Sequence, residues 1–229
     1  MHEQRGEQGQ EVMQAASGHD RSRFEPLVVM GMPEGAEAQG GREAMEDNCR
    51  RLSWSGVRWV VVPALVRNIH PVKDLEALWA LWRLFRREQP AIVHTHTSKA
   101  GALGRLAARL AGVPVVVHTP HGHVFYGHFG TMASWGIVQI ERLLAHWTTR
   151  CISLTEDERQ EYRARGIGRA EHVAVVPSSI ELERFRRMGS VGRNGFPPGF
   201  ECPADATIVG SVGWLTPVKG HRYLIEALA

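Results

Sequence analysis

Short runs of apolar and β-branched residues recur along this chain, and stretches of helical periodicity, roughly 10–17 residues long, separate them. No other feature constrains the fold as much. The strand-like runs are Pro26 to Met30, Arg58 to Val62, Ala91 to His96, Val113 to His118, Cys151 to Ser153, His172 to Val176 and Thr207 to Val212. Val115-Val116-Val117 is apolar without alternation, the pattern of a strand covered on both faces. Strand and helix in repetition imply βαβ units, and hence an α/β fold: a Rossmann-like parallel sheet with helices on both faces.

The helical stretches carry their own signals. Residues 42–53 read as one helix. A stronger one starts at Pro71, places Leu75, Leu78, Trp79, Trp82 and Phe85 on one face, and stops at Gln89-Pro90. Thr97 or Ser98 stands where a cap is needed for the next, whose apolar face reads as Leu103, Leu106 and Leu110, with Gly112 and Pro114 ending it. A long helix carries Ile137, Ile140, Leu144 and Trp147, and Thr155 with Glu158 forms a capping box. Residues 1–24 are polar, weakly helical at best, and hold no apolar strand.

Residues 186–204 break the pattern with glycine and proline and read as a linker. The organisation expected is therefore a Rossmann-like domain over 1–185, the linker, and over 205–229 the first strand and helix of a second Rossmann-like domain. Leu224, Ile225 and Leu228 give that last helix an apolar face.

Composition removes several classes. The 229 residues are 43% hydrophobic and 22% charged, which excludes a disordered, collagen-like or coiled-coil chain. Lys and Arg number 27 against 24 Asp and Glu, a balance of +3 too small and too evenly spread for a nucleic-acid partner. Cys49, Cys151 and Cys202 lie far apart, so neither a disulfide framework nor a CxxC zinc site is expected, and the usage fits a reducing cytoplasm. No run approaches the roughly 20 apolar residues of a membrane span, and the first residues lack a signal peptide's apolar core. A cytoplasmic location is the expectation. The basic clusters Arg83, Arg86, Arg87 and Arg184, Arg186, Arg187 leave peripheral contact with the inner face of a membrane open.

In parallel sheets, ligands bind at the carboxyl ends of strands. Two such ends are rich in polar groups, His94 to Gly101 and His118 to Gly127, and six of the twelve histidines fall between His94 and His128. His94 and His96 share a strand face, and the helix opening at Ser98 offers backbone N–H groups suited to phosphate. One histidine is ordinarily a partner for strand-end carbonyls; six at two neighbouring ends point to a site. An HxH pair can also ligate metal, but no Asp or Glu lies between Gln89 and Gln139 to complete the set, so no metal is expected. A second locus runs from Gly210 to His221, where Gly213, Thr216 and Lys219 surround a turn that can hold a diphosphate. An exposed turn with a solvated lysine explains that spacing equally well. Neither a P-loop nor a GxGxxG is present.

At these residues the chain resembles a known group. IVHTHTSKAGALGRLAARLAGVPVVVHTPHGHVFYG, PSSIELERF and VGSVGWLTPVKGHRYLIEA are similar to segments of the retaining glycosyltransferases of family four, with the likeness running from about Glu25 to Ala229. The resemblance implies the GT-B fold, two Rossmann-like domains with a nucleotide-sugar donor and a glycan or lipid-linked acceptor between them. It implies that His121 lies beside the transferred sugar and that Lys219, with Gly213 and Thr216, neutralises the donor diphosphate. It implies an acceptor-side loop of His96, Ser98, Lys99, Gly101 and His123, and no cofactor, the nucleotide sugar being a substrate. Trp214 stands where the family usually has Arg, Ser178-Ser179 replaces its Asn-Gly, the family's first strand has no counterpart, and its acidic pair would lie beyond Ala229. A fragment of little activity on its own is therefore expected. Two other readings stand beside it: a non-catalytic module binding a phosphorylated ligand, and a metal-dependent hydrolase built on the cluster from His94 to His123.

Overall fold

The computed structural model describes residues 12–34, 38–121, 131–178, 186, 207–211, 213 and 220–228. The chain divides into two compact units, Gln8–Ser178 and Met1–Glu7 with Ser179–Ala229. In the first unit strands and helices alternate: β1 (Leu27–Gly31), α2 (Ala38–Trp54), β2 (Arg58–Val62), α3 (Pro71–Glu88), β3 (Ile92–His96), α4 (Ser98–Ala111), β4 (Val115–Thr119), α5 (Thr131–Ala145), β5 (Arg150–Ser153), α6 (Glu156–Ala164) and β6 (Val173–Val175). Before β1, residues 12–18 form a helix, α1.

All pairings are parallel. β1 pairs with β2, and β3, β4, β5 and β6 form a second sheet in that order. One core serves both sheets. Val62 of β2, Val93 of β3 and Val116 of β4 meet Ala77, Leu81, Leu84 and Phe85 of α3 and Ala107 and Ala108 of α4. Leu27 and Val29 of β1 pack against the same cluster, whereas Val28 faces a second one made by Met13 and Ala16 of α1 with Leu52 and Val57. β1 is thus covered on both sides, as its unbroken apolar run requires.

The element ends follow local chemistry. Pro71 sits in the first turn of α3, His70 accepts a hydrogen bond from the Lys73 N–H, and Gln89 closes the helix in the left-handed conformation. Gly112 does the same for α4 with φ 78°. At α6 the first half of the capping box forms, Thr155 Oγ1 accepting from Glu158 N–H at 3.1 Å, while Glu158 Oε2 reaches one residue further back and accepts from Leu154 N–H.

Several expectations are corrected. Leu75 and Trp79 of α3 point outward, 69% and 56% exposed, because the helix is apolar around most of its circumference and the core takes Ala77, Leu81, Leu84 and Phe85 instead. On α4, Leu110 is exposed and the buried face is Gly101, Gly104, Arg105, Ala107 and Ala108, since small residues let the helix approach the sheet. Ile140 of α5 is likewise exposed, with Val138, Glu141 and Leu144 turned inward. Neither expected cap of α4 operates: Thr97 occupies the N-cap position but makes no side-chain hydrogen bond there. The polar N-terminal stretch holds a helix that buries Met13 and Ala16.

In the second unit, His221–Leu228 is a helix with no buried residue. Residues 207–211 lie in no strand, since a strand exists only beside a hydrogen-bonded neighbour and none of the described residues supplies one. Among the described residues no helix is long and apolar enough to cross a membrane.

Candidate active site at the carboxyl ends of β3 and β4

β3 and β4 pair so that Thr95 stands opposite His118 and His96 opposite Thr119. Alternation sends Val93 and Thr95 toward α4 and leaves His94 and His96 together on the other face. Their rings lie 4.2 Å apart, centroid to centroid. His94 Nε2 is 2.8 Å from Thr119 Oγ1. His96 Nδ1 is 2.8 Å from Nε2 of His121, whose ring centroid is 5.0 Å from its own. Three imidazoles therefore form a row across the ends of both strands.

The backbone beneath this row is strained at two places. Thr97 has φ 64° and ψ 171°, and His121 has φ 56°, both in the left-handed region that favours glycine. Each such residue costs about 1–3 kcal/mol and persists only where its surroundings hold it. Thr97 is held by its N–H on the Thr119 carbonyl at 3.1 Å. His121 is buried and held from one side by His96.

The imidazoles of the row's first two members are uncharged at neutral pH. Burial lowers His96 to about 3, with the neighbouring His94 and His121 adding to it. Burial, then His121 and His19, lowers His94 to about 4, although its exposed edge lets solvent temper the effect. Between His96 and His121 one ring donates and the other accepts, so the tautomers of the two rings are coupled.

Below the row lies a buried polar layer. The Thr95 hydroxyl donates to the Val117 carbonyl at 3.2 Å, so its oxygen accepts from His118 Nδ1, 3.0 Å away. Nε2 of His118 then needs no proton, and it has no hydrogen-bond partner among the described residues. Burial first, then the Arg105 guanidinium, keeps this ring neutral. Arg105, 2% exposed, donates from Nη2 to both carboxylate oxygens of Glu141 at 2.7 and 2.9 Å and from Nε to the Gly101 carbonyl. The first turn of α4 is thereby tied to α5. Burial raises the Cys151 thiol beside this layer to about 12, so it is inert as a nucleophile.

Residues 6–178 match the family model described as "Glycosyl transferase 4-like domain". The chain belongs to that family. Among similar proteins is UDP-Gal:alpha-D-GlcNAc-diphosphoundecaprenol alpha-1,3-galactosyltransferase of Escherichia coli, 35% identical over 181 residues that cover 75% of this chain and 44% of that one. Capsular polysaccharide biosynthesis glycosyltransferase CapM of Staphylococcus aureus is 24% identical over 172 residues, 73% of this chain and 44% of the relative. The crystal structure of MurG from Acinetobacter baumannii is similar at a TM-score of 0.39 and 14% identity, over 68% of this chain and 46% of that one. The chain spans less than half the length of these relatives.

Of the site residues named from the sequence, the structure brings His96 and His121 into contact. Ser98, Lys99 and Gly101 form the first turn of α4. Lys99 bridges to Asp74 and donates to the Asn68 carbonyl, so it joins the starts of α3 and α4. Gly101 faces the His118 ring: a Cβ there would lie 2.4 Å from Cε1. Gly213 belongs to the second unit, and His123, Thr216 and Lys219 lie outside the described residues. Sequence reading missed the roles of Thr119 and of the Arg105–Glu141 pair. Arg105 alone left a trace, as a cation inside the small-residue run from Gly101 to Ala111. Among the described residues no group of three or more His, Cys, Asp or Glu side chains is arranged to hold a metal ion.

Proposed function

We propose that this chain forms the acceptor side of a glycosyltransferase that moves a sugar from a nucleotide-sugar donor to a glycan or lipid-linked acceptor, with retention of anomeric configuration. One observation carries the reading: a strained, buried His121 braced by His96 at the carboxyl ends of two parallel strands, in a chain of the glycosyl transferase 4-like family. The neutral imidazoles of His94 and His96 suit this chemistry. They donate to and accept from sugar hydroxyls without placing a positive charge against the cationic sugar that develops as the bond to phosphate breaks.

In this reading the anomeric carbon leaves the diphosphate oxygen and bonds to the acceptor hydroxyl oxygen. The hydroxyl proton passes to the departing phosphate. His121 orients the transferred sugar, and Lys219, with Gly213 and Thr216, balances the charge left on the diphosphate. No metal is needed, because a lysine and backbone N–H groups supply the positive potential. The E. coli relative's name specifies a UDP-Gal donor and a GlcNAc-diphosphoundecaprenol acceptor, which supports a lipid-linked acceptor for this chain too.

The test is transfer from radiolabelled nucleotide sugars to a diphosphate-linked acceptor, with the anomeric configuration of the product read by NMR. Retained configuration, insensitive to chelator, supports the reading. Inversion or a stoichiometric metal requirement overturns it. Residues 1–229 assayed alone are expected to turn over poorly beside a version of family length.

A further inference from the structure

The row of imidazoles repeats a single step. His94 of β3 holds Nε2 2.8 Å from Thr119 Oγ1, and His96 holds Nδ1 2.8 Å from His121 Nε2. In the parallel register His94 stands opposite Val117 and His96 opposite Thr119. Each ring therefore leans past its direct neighbour to a partner 25 residues along the chain, toward the carboxyl end of the sheet. The two rungs touch where the His94 and His96 rings lie 4.2 Å apart.

We propose that Thr119 is a positioning residue for His121, acting through His94 and His96. His118 turns its ring to Gly101 of α4, so alternation turns the Thr119 side chain to the face that carries His94 and His96. His94 has an edge open to solvent, so burial alone does not hold its ring, whereas the Thr119 hydroxyl that it meets is buried at 3% exposure. Thr119 also holds the far side of the row. Its carbonyl accepts the N–H of Thr97, the left-handed residue that directly follows His96. One buried residue thus secures the first ring by its hydroxyl and the backbone after the second ring by its carbonyl. Without the hydroxyl, Nε2 of His94 exchanges its partner for water at little cost and the ring turns outward. His96 then loses the ring stacked on its flank, and its bond to His121 opens to competition from water. The inference deepens the proposed transfer reaction: a consequence for turnover rests on that reading, and the positioning does not.

The experiment is long-range proton–nitrogen NMR of the 229-residue chain, isotope-labelled at histidine, at neutral pH. No donor or acceptor is present, so ring geometry is read apart from any transfer. In wild type His96 and His121 are each expected in a single tautomer, because one ring donates to the other. Thr119→Val removes the hydroxyl and keeps the branched shape. It should move the ring nitrogen shifts of His94 and His96 toward the average of exchanging tautomers, at unchanged circular dichroism. Thr119→Ser should restore the wild-type spectrum. His94→Ala, at a position with solvent access, should loosen the pair of His96 and His121 in the same way. Thr148→Val is the control, since the Thr148 hydroxyl is also buried but donates to the Leu144 carbonyl within one turn. Wild-type shifts of His96 in folded Thr119→Val, or in His94→Ala, overturn the inference. So does averaging that Thr119→Ser fails to repair or that Thr148→Val reproduces. If the rings average while turnover in a version of family length holds, the positioning stands and the reading of His121 as the sugar's partner fails.

Discussion

His96 Nδ1 lies 2.8 Å from His121 Nε2, and through this contact the end of β3 fixes the ring that follows β4. His121 stands in a left-handed conformation, so its orientation depends on what surrounds it rather than on local preference. His96 is therefore a positioning residue. In a version of family length, His96→Ala should lower kcat by about tenfold with little change in donor KM, and His96→Gln, which keeps a hydrogen-bonding group, should restore part of it. Steady-state kinetics check this.

Thr97 carries strain without a compensating cap. Thr97→Gly should stabilise the chain by about 1 kcal/mol, because glycine adopts φ 64° and ψ 171° freely and the threonine hydroxyl caps nothing. Thr97→Ala should give no such gain. Urea denaturation of the two variants separates strain from side-chain loss.

Arg105 and Glu141 are buried together at 2% and 5% exposure, so either is costly alone. Arg105→Met or Glu141→Leu should each cost about 3–5 kcal/mol, and the double variant much less than the sum. Thermal denaturation gives the coupling. Additive losses would mean the two charges are solvated independently.

Gly101 makes a related prediction. A methyl group there meets the His118 ring at 2.4 Å, and the ring is buried and cannot retreat. Gly101→Ala should destabilise by about 1–3 kcal/mol. A variant as stable as wild type would show that α4 is free to slide away from β4.

How much of this was legible in the sequence depends on what each feature rests on. The strands of the first unit were readable because β-branched runs such as Arg58 to Val62 and Val115 to Val117 signal burial locally. The shared face of His94 and His96 follows from alternation alone. Helix faces were readable only in part: Phe85 and Leu144 are buried as their spacing implied, whereas Leu75, Trp79, Leu110 and Ile140 are exposed. α3 has apolar residues nearly all round, so periodicity could not tell Leu75 from Leu81, and α4 buries glycines and alanines that a hydrophobic count overlooks. The contact between His96 and His121 depends on the left-handed backbone of His121, and the Lys99–Asp74 bridge joins two helices. Neither leaves a local trace.

Three histidines at the strand ends give the chain an acid sensitivity, the solvent-exposed His94 contributing least. His94, His96 and His118 are all held below the ordinary imidazole value of 6.5, so below that pH the unfolded chain binds more protons than the folded one. Stability is then full above about pH 6.5 and falls as pH drops toward 4 and 3. Tm should decline by on the order of 5 °C between pH 7 and pH 5, and His96→Asn should flatten the profile.

In the proposed transfer reaction His121 stands beside the sugar being moved. The most direct measurement is the turnover of His121→Ala in a version of family length, beside its Tm. A loss of at least about 100-fold in kcat in a variant that remains folded is the outcome expected. Turnover within a few-fold of wild type would contradict it and return the histidine row to a structural role.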